Sequence, residues 1–520
     1  MPFSRRALIQ YTALWPFLGF ALSSAGANGR ANRLVIADEG GDRGLPAPFL
    51  HHKDGIGYLY TSYIFDTLIA QDRTGKLVGG LARAWQLSSD GLSCTITLRD
   101  NIRWHDGSPL TAKDVVFTVA YMAKHPYLFV STVKIARAVA LSANRLNILL
   151  REPDAGLLSG TLLNLPILPE HLYAGHASPE RFTSGSALMG SGPYRFSGYD
   201  RAEGRYFFKG NTDYYRGDPL FDQMAIVTMG PDAALRAMRS GEVDLIPFLP
   251  YDRVTQARSM GFQVVTAASN HVVRLLFNNR NRFQDRDRRH ALAFAIHRKA
   301  LIETVRQGEA TPADTGFFQP NSPWGGDTAL PSYAFDPQQA QTLLSKSGWS
   351  RDQHKRWCSD GEVIHLTLVT DTPLRREAVV VSEQLESIGL SVDVRILERT
   401  ALREALRSGN FDLSLLSTST MGDPSDLARY LAGDFWNGDY FAGSREMTAL
   451  LEQQAQVVSL HQRKALLAKF QALYANELPS YMLFNPTYAT AHNHKIAPRF
   501  LPDGVAIGIP TSVHKSVLVG

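Results

Sequence analysis

Residues 364–416 read IHLTLVTDTPLRREAVVVSEQLESIGLSVDVRILERTALREALRSGNFDLSLL, and along them the spacing of apolar residues switches from two to about 3.6 and back. The pattern predicts a strand over 364–369, a helix over 375–387 closed by Gly389, and a strand over 392–397. A second helix over 401–408, stopped at Gly409, leads into a third strand over 411–416. Right-handed crossovers would make these strands parallel, so the fold class is α/β.

A second unit of this kind lies upstream, with a strand over 225–229, a helix over 232–240 and a strand over 243–248. The two units echo each other in letters, because residues 237–245 and 405–413 both spell A-[ML]-R-S-G-x-[VF]-D-L. Chance or shared helix-stop chemistry would produce that echo, and so would two lobes of like topology facing one another. In open α/β sheets ligands sit beyond the carboxyl ends of the strands, which makes 248–251 and 417–426 the expected cleft walls.

The chain of 520 residues is long enough for several structural units, and its 44% hydrophobic and 20% charged content is that of an ordinary globular protein. Lys and Arg number 54 against 49 Asp and Glu, and they are scattered, so nucleic acid is not expected as a partner. Cys94 and Cys358 are too few for a disulfide scaffold or a cysteine-rich zinc site, and they are expected to stay unpaired.

Arg5 and Arg6 precede an apolar run over 7–22, and Ala25-Gly26-Ala27 supplies a small-x-small cleavage pattern. Residues 1–27 are therefore expected to be an export signal. Ser4-Arg5-Arg6-Ala7-Leu8-Ile9 resembles the twin-arginine motif, which places the mature chain in a periplasm, and ordinary secretion is the other route. No later stretch approaches the roughly 20 apolar residues that span a bilayer.

The most specific string is Arg103-Trp104-His105-Asp106-Gly107-Ser108-Pro109-Leu110-Thr111-Ala112-Lys113-Asp114-Val115. It reads as a turn feeding a helix capped by Thr111 and Asp114, rather than as a catalytic histidine–aspartate pair. The same string resembles the signature of the extracellular solute-binding proteins of oligopeptide, dipeptide and nickel ABC importers (family 5). Leu81-Ala82-Arg83-Ala84-Trp85, Gly190-Ser191-Gly192-Pro193-Tyr194, Asn211-Thr212-Asp213-Tyr214-Tyr215 and Arg289-His290-Ala291-Leu292 resemble further family motifs in order and spacing.

That resemblance implies a bilobal periplasmic-binding-protein fold with two chain crossings as a hinge. Lobe I would hold 28–274 plus 487–520, with a subdomain over 66–185, and lobe II would hold 275–486. The crossings would fall near Arg274-Leu275 and Asn485-Pro486. The implied partners are a small-molecule or peptide ligand and an inner-membrane permease. The chain is expected to act as a monomer, with no cofactor and no metal of its own.

In peptide-binding relatives the segment after the last strand reads like WxxDxxDP, and the first aspartate holds the ligand's ammonium group. Here Ser417 takes the tryptophan position and Thr420 the ammonium position, while Asp423-Pro424 match the last two letters. A charged bond is stronger than a neutral one, so recognition of a free peptide N-terminus rests on whether a shifted loop brings Asp423 into the role. Otherwise Asp423 is a turn aspartate before proline. The expected ligand residues are Thr418, Thr420, Met421, Asp423, Trp436, Asn437, Tyr440, Tyr488 and His52. Arg375 and Arg376 could answer a carboxylate, although at a helix start a solvated face is the more usual explanation.

The leading reading is a binding subunit for a peptide or amine-bearing solute. A nickel-chelate or haem carrier on the same fold is the alternative, weakened by the lack of an arginine over 162–167, where nickel relatives carry one. An exported hydrolase ranks last, because no HExxH, GxSxG or P-loop pattern occurs.

Overall fold

In both halves of the molecule the echoed string folds the same way. The computed structural model describes residues 32–520 apart from 53–54, 269–270, 321, 326–328, 420–421, 428–430, 432–444, 503 and 507. The expected export signal and the sites Thr420, Met421, Trp436, Asn437 and Tyr440 lie outside the described residues.

The first half is built on β1 (Arg33–Asp38), β2 (Gln223–Thr228), α1 (Pro231–Ser240) and β3 (Leu245–Leu249). β4 (His271–Phe277) and α2 (Arg298–Arg306) follow. The second half is built on β5 (His365–Thr370), α3 (Arg375–Ser387), β6 (Ser391–Ile396), α4 (Arg399–Ser408) and β7 (Leu413–Ser419). α5 (Arg445–Gln456), α6 (Leu460–Glu477) and the long β8 (Ser480–His492) complete the part that concerns the site.

β1 pairs in parallel with β2 and β3, and β8 lies antiparallel to β3. β5 likewise pairs in parallel with β6 and β7, and β4 lies antiparallel to β7. The two sheets therefore share one order, and β8 belongs to both. Its first part pairs with β4, and its last residues pair with β3.

The likeness extends to single hydrogen bonds. α1 ends at Gly241 and α4 at Gly409, both in the left-handed conformation at φ 79° and ψ 15°. Three residues later comes an aspartate. The Val35 N–H donates to Asp244 Oδ2 at 2.8 Å, and the Thr367 N–H donates to Asp412 Oδ2 at 2.9 Å. Asn493 Nδ2 donates to Asp244 Oδ1 at 2.7 Å, and Asn281 Nδ2 donates to Asp412 Oδ1 at 3.1 Å. Each aspartate ties the end of its helix–strand turn to the central parallel strand and to the chain leaving the crossing strand. Lys495 and Arg282 supply the matching cations, at 2.6 and 3.2 Å.

Separate apolar cores back each half. Leu366, Leu368, Leu413 and Leu415 face Ala378, Val381 and Leu385 of α3 on one side of the second sheet. Val369 and Leu416 meet Leu402 and Leu406 of α4 on the other. Alternation along the strands decides which helix covers which face.

A four-stranded sheet, made of Ala82–Leu87, Ser93–Leu98, Ile135–Ser142 and Arg145–Leu150, adds to the first half. Against it lies the helix Ala112–Lys124, where Asp114 Oδ2 accepts the Thr111 N–H at 2.8 Å, so the expected capping box is present. His105 is buried, with Nε2 on Gly192 O at 3.0 Å, and burial pushes its pKa down to about 4. It is a neutral structural ring. Cys94 and Cys358 are free and buried.

Candidate functional site

The carboxyl ends of β3, β5 and β7 converge beside the shared strand β8 and enclose a cavity of about 640 Å3 between the two halves. From the first half come Phe248, Leu249, Pro250 and Tyr251. The second half contributes the turn that leads into α3, one face of α4 and the end of β7. His271, Pro486 and Tyr488 form the hinge-side wall, where Asn485 Nδ2 donates to His271 O at 3.0 Å and joins the two crossing strands.

Tyr251 bridges the halves. Its ring lies 5.1 Å from the Arg306 guanidinium carbon, and its hydroxyl accepts from Arg376 Nη1 at 3.1 Å. Arg306 is itself paired with Glu377 at 2.6 Å. Arg376 thus donates to a tyrosine of the first half.

Of the expected ligand residues, Thr418 and Tyr488 line the cavity. Among the described residues the buried Thr418 Oγ1 atom has no hydrogen-bond partner, and Tyr488 stacks edge-on to His271 with centroids 5.8 Å apart. His52 is exposed and does not line it.

Asp423 sits elsewhere, in a second contact between the halves. It caps the short turn Pro424–Asp426, and both its oxygens are occupied. Arg463 Nη2 reaches Oδ1 at 2.6 Å and Nη1 reaches Oδ2 at 3.1 Å, while the Ser425 N–H donates to Oδ1 at 2.9 Å. Ser159, from the first half, donates to Oδ2 at 2.5 Å. Asp423 and Arg463 side chains are each 4% exposed. Burial opposes ionisation of Asp423, but the Arg463 guanidinium and the two serine hydroxyls outweigh it and hold the carboxyl below the usual carboxylate range. Its acceptor capacity is spent within the protein, and this arrangement leaves none for a ligand ammonium.

The same contact continues through backbone, with the Ala155 N–H donating to Ala455 O at 2.9 Å. Ser159 belongs to the π-helical turn Leu157–Leu162, a feature without a sequence signal of its own. Among the described residues no three His, Cys, Asp or Glu side chains gather to hold a metal ion.

Sequence reading passed over Arg306, Glu309, Asp371, Arg399 and Arg403 on the cavity wall. The spacing of Arg399, Leu402, Arg403 and Leu406 places them on one helix face, but does not say that this face meets a cleft.

Residues 76–439 match the family described as bacterial extracellular solute-binding proteins, family 5 Middle. The chain is 25% identical to di/tripeptide-binding protein 1 of Pseudomonas aeruginosa, over 95% of this chain and 97% of that one. In fold it is similar to the oligopeptide-binding protein AppA of Bacillus subtilis in complex with a nonapeptide, at TM-score 0.75 and 22% identity, covering 90% and 96% of the two chains. It is also similar to NikZ of Campylobacter jejuni in complex with Ni(L-His), at TM-score 0.78 and 21% identity, covering 94% and 98%.

Proposed function

The chain belongs to the bacterial extracellular solute-binding proteins of family 5, and from that premise we propose that it captures a peptide or peptide-like solute between two lobes for an ABC importer. The observation that carries this is the cavity walled by both halves at the hinge-side ends of their parallel strands. Solute binding would favour the closed arrangement by its differential affinity, with no bond made or broken, and the protein is not an enzyme in this reading. The di/tripeptide-binding relative from Pseudomonas aeruginosa supports the peptide class.

Residues 1–27 are in this reading a signal for the twin-arginine route, and the mature monomer works in the periplasm and docks on an inner-membrane permease. Lobe I comprises 28–274 with 487–520, lobe II comprises 275–486, and β4 and β8 form the hinge. Thr418 and Tyr488 touch the solute, together with Thr420, Met421, Trp436, Asn437 and Tyr440. Native followed by denaturing mass spectrometry of protein purified from a periplasm tests the assignment. Release of small peptides is expected, and release of a single metal chelate would replace the peptide reading with the nickel-type alternative.

A further inference from the structure

We propose, resting on the two-lobe reading, that residues 152–160 of the first half are a latch that docks on the second half and holds the cleft closed whether or not a solute fills it. The Ala155 N–H donates to Ala455 O at 2.9 Å, Arg463 Nη1 donates to Ala155 O at 3.4 Å, and the Ser159 hydroxyl donates to Asp423 Oδ2 at 2.5 Å. Gln456 Nε2 adds a bond to Glu152 Oε2 at 3.4 Å on the exposed edge. None of these residues lines the cavity of about 640 Å3, so their contact does not depend on what the cavity holds.

Each side of the contact is shaped within its own half. In the first, Asp154 Oδ1 accepts the Gly156 N–H at 3.1 Å and Lys134 Nζ at 3.3 Å, and Asn164 Nδ2 donates to Gly160 O at 2.7 Å. In the second, the Arg463 guanidinium lies 4.5 Å from the Trp324 ring and donates from Nε to Gln454 Oε1 at 2.9 Å. Gln454 Nε2 in turn donates to Pro424 O at 2.6 Å. Surfaces that are shaped before they meet lose little conformational entropy on docking.

Gly156 shows how close the approach is. Its φ of −94° is open to any residue, so the turn itself does not require glycine. The three atoms nearest to a Cβ placed there all come from the second half. That Cβ would overlap Ser425 Oγ, and would lie 2.6 Å from Ser425 Cβ and 3.0 Å from Asp423 Oδ1. Ser425 Oγ is held in place, because it donates to Asp423 Oδ1 and accepts from Arg463 Nη2 at 2.9 Å. Glycine is required here by the meeting of the halves.

A latch of this kind moves the resting equilibrium toward the closed arrangement. A solute then supplies less of the closing free energy, and its exchange waits on unlatching.

Hydrogen exchange resolved to single amides tests this on the purified protein, stripped of solute by unfolding in guanidinium, dialysis and refolding. The Ala155 amide is expected to exchange slower than in a free chain by about tenfold or more. That protection should fall by about tenfold or more in Gly156→Val, in Ser159→Ala or in both. The Thr161 amide, bonded to Gly156 O within the first half at 3.1 Å, should keep its protection and so report that the turn stays folded. Free-chain exchange at Ala155 in the parent overturns the proposal. Protection there that survives both substitutions overturns it as well, and so does a loss that extends to Thr161. Ser159→Ala decides alone if Gly156→Val does not fold. No solute enters the measurement, so a failed latch leaves the peptide assignment to mass spectrometry, and a failed peptide assignment leaves the latch standing.

Discussion

Ser159 donates its hydroxyl to Asp423 at 2.5 Å, although the two residues stand 264 positions apart and belong to opposite halves of the molecule. The acceptor is the carboxylate that Arg463 already holds, so one neutral hydroxyl closes a ring of contacts around a buried charge. Separating the halves breaks the Ser159 bond but leaves the Asp423–Arg463 pair intact. The bond therefore spans the two halves, whereas the ion pair lies within the second half.

Ser159→Ala is expected to leave the unfolding midpoint nearly unchanged and to speed solute release. A hydrogen bond to a charged group contributes about 1.5–3 kcal/mol, which sets an upper range of roughly ten- to a hundredfold on the off-rate. Stopped-flow displacement of a bound solute measures it. An unchanged off-rate would show that the contact does not hold the closed arrangement.

Asp423→Ala should cost about 3–5 kcal/mol, because it strands the buried Arg463 guanidinium. The pair Asp423→Asn with Arg463→Met should recover a large part of that loss. The pH dependence follows from the lowered Asp423 pKa. Its stabilisation is fully present above the unfolded carboxyl value of about 3.9 and is lost as pH falls below that toward the depressed folded value. Denaturant melts between pH 6 and pH 2 should show a shallower acid loss for Asp423→Asn than for the parent.

Gly241→Ala and Gly409→Ala should each lower stability by about 1–2 kcal/mol, since both positions sit at φ 79°. A Cβ at Gly241 meets nothing within 4 Å, so the cost there is one of backbone conformation alone. Gly241→Asn should recover part of it, because asparagine tolerates the left-handed region. Equal losses from alanine and asparagine in thermal melts would contradict this account.

Neither Cys94 nor Cys358 should react with a thiol reagent in the native protein, and both should react after unfolding. Burial raises the Cys94 pKa to about 11, which keeps its thiolate scarce at neutral pH. Thiol counting with and without denaturant, together with an unchanged mass after reduction, checks both statements.

The α/β class, the helices at 375–387 and 401–408 and the stop glycines were legible because they depend on contacts within a few residues. Boundaries moved where side chains intervened. The third strand begins at Leu413 rather than at Phe411, whose N–H turns back to Gly409 O at 2.9 Å. The echoed letters were open to two explanations, and the matching bonds of Asp244 and Asp412 now give them a common structural role.

The sequence by itself determined the two α/β units, their caps and the cleft wall at 248–251, since apolar period and turn chemistry are local properties. Only the tertiary structure decided that Asp423 belongs to Arg463 and Ser159, that Tyr251 meets Arg306 and Arg376, and that the Arg399 face of α4 borders a cavity. An exposed arginine at a helix start and a serine in a π-turn carry no local mark of their partners. Those partners arrive from distant parts of the chain, and the packing of two separate cores against one shared strand fixes which charges meet.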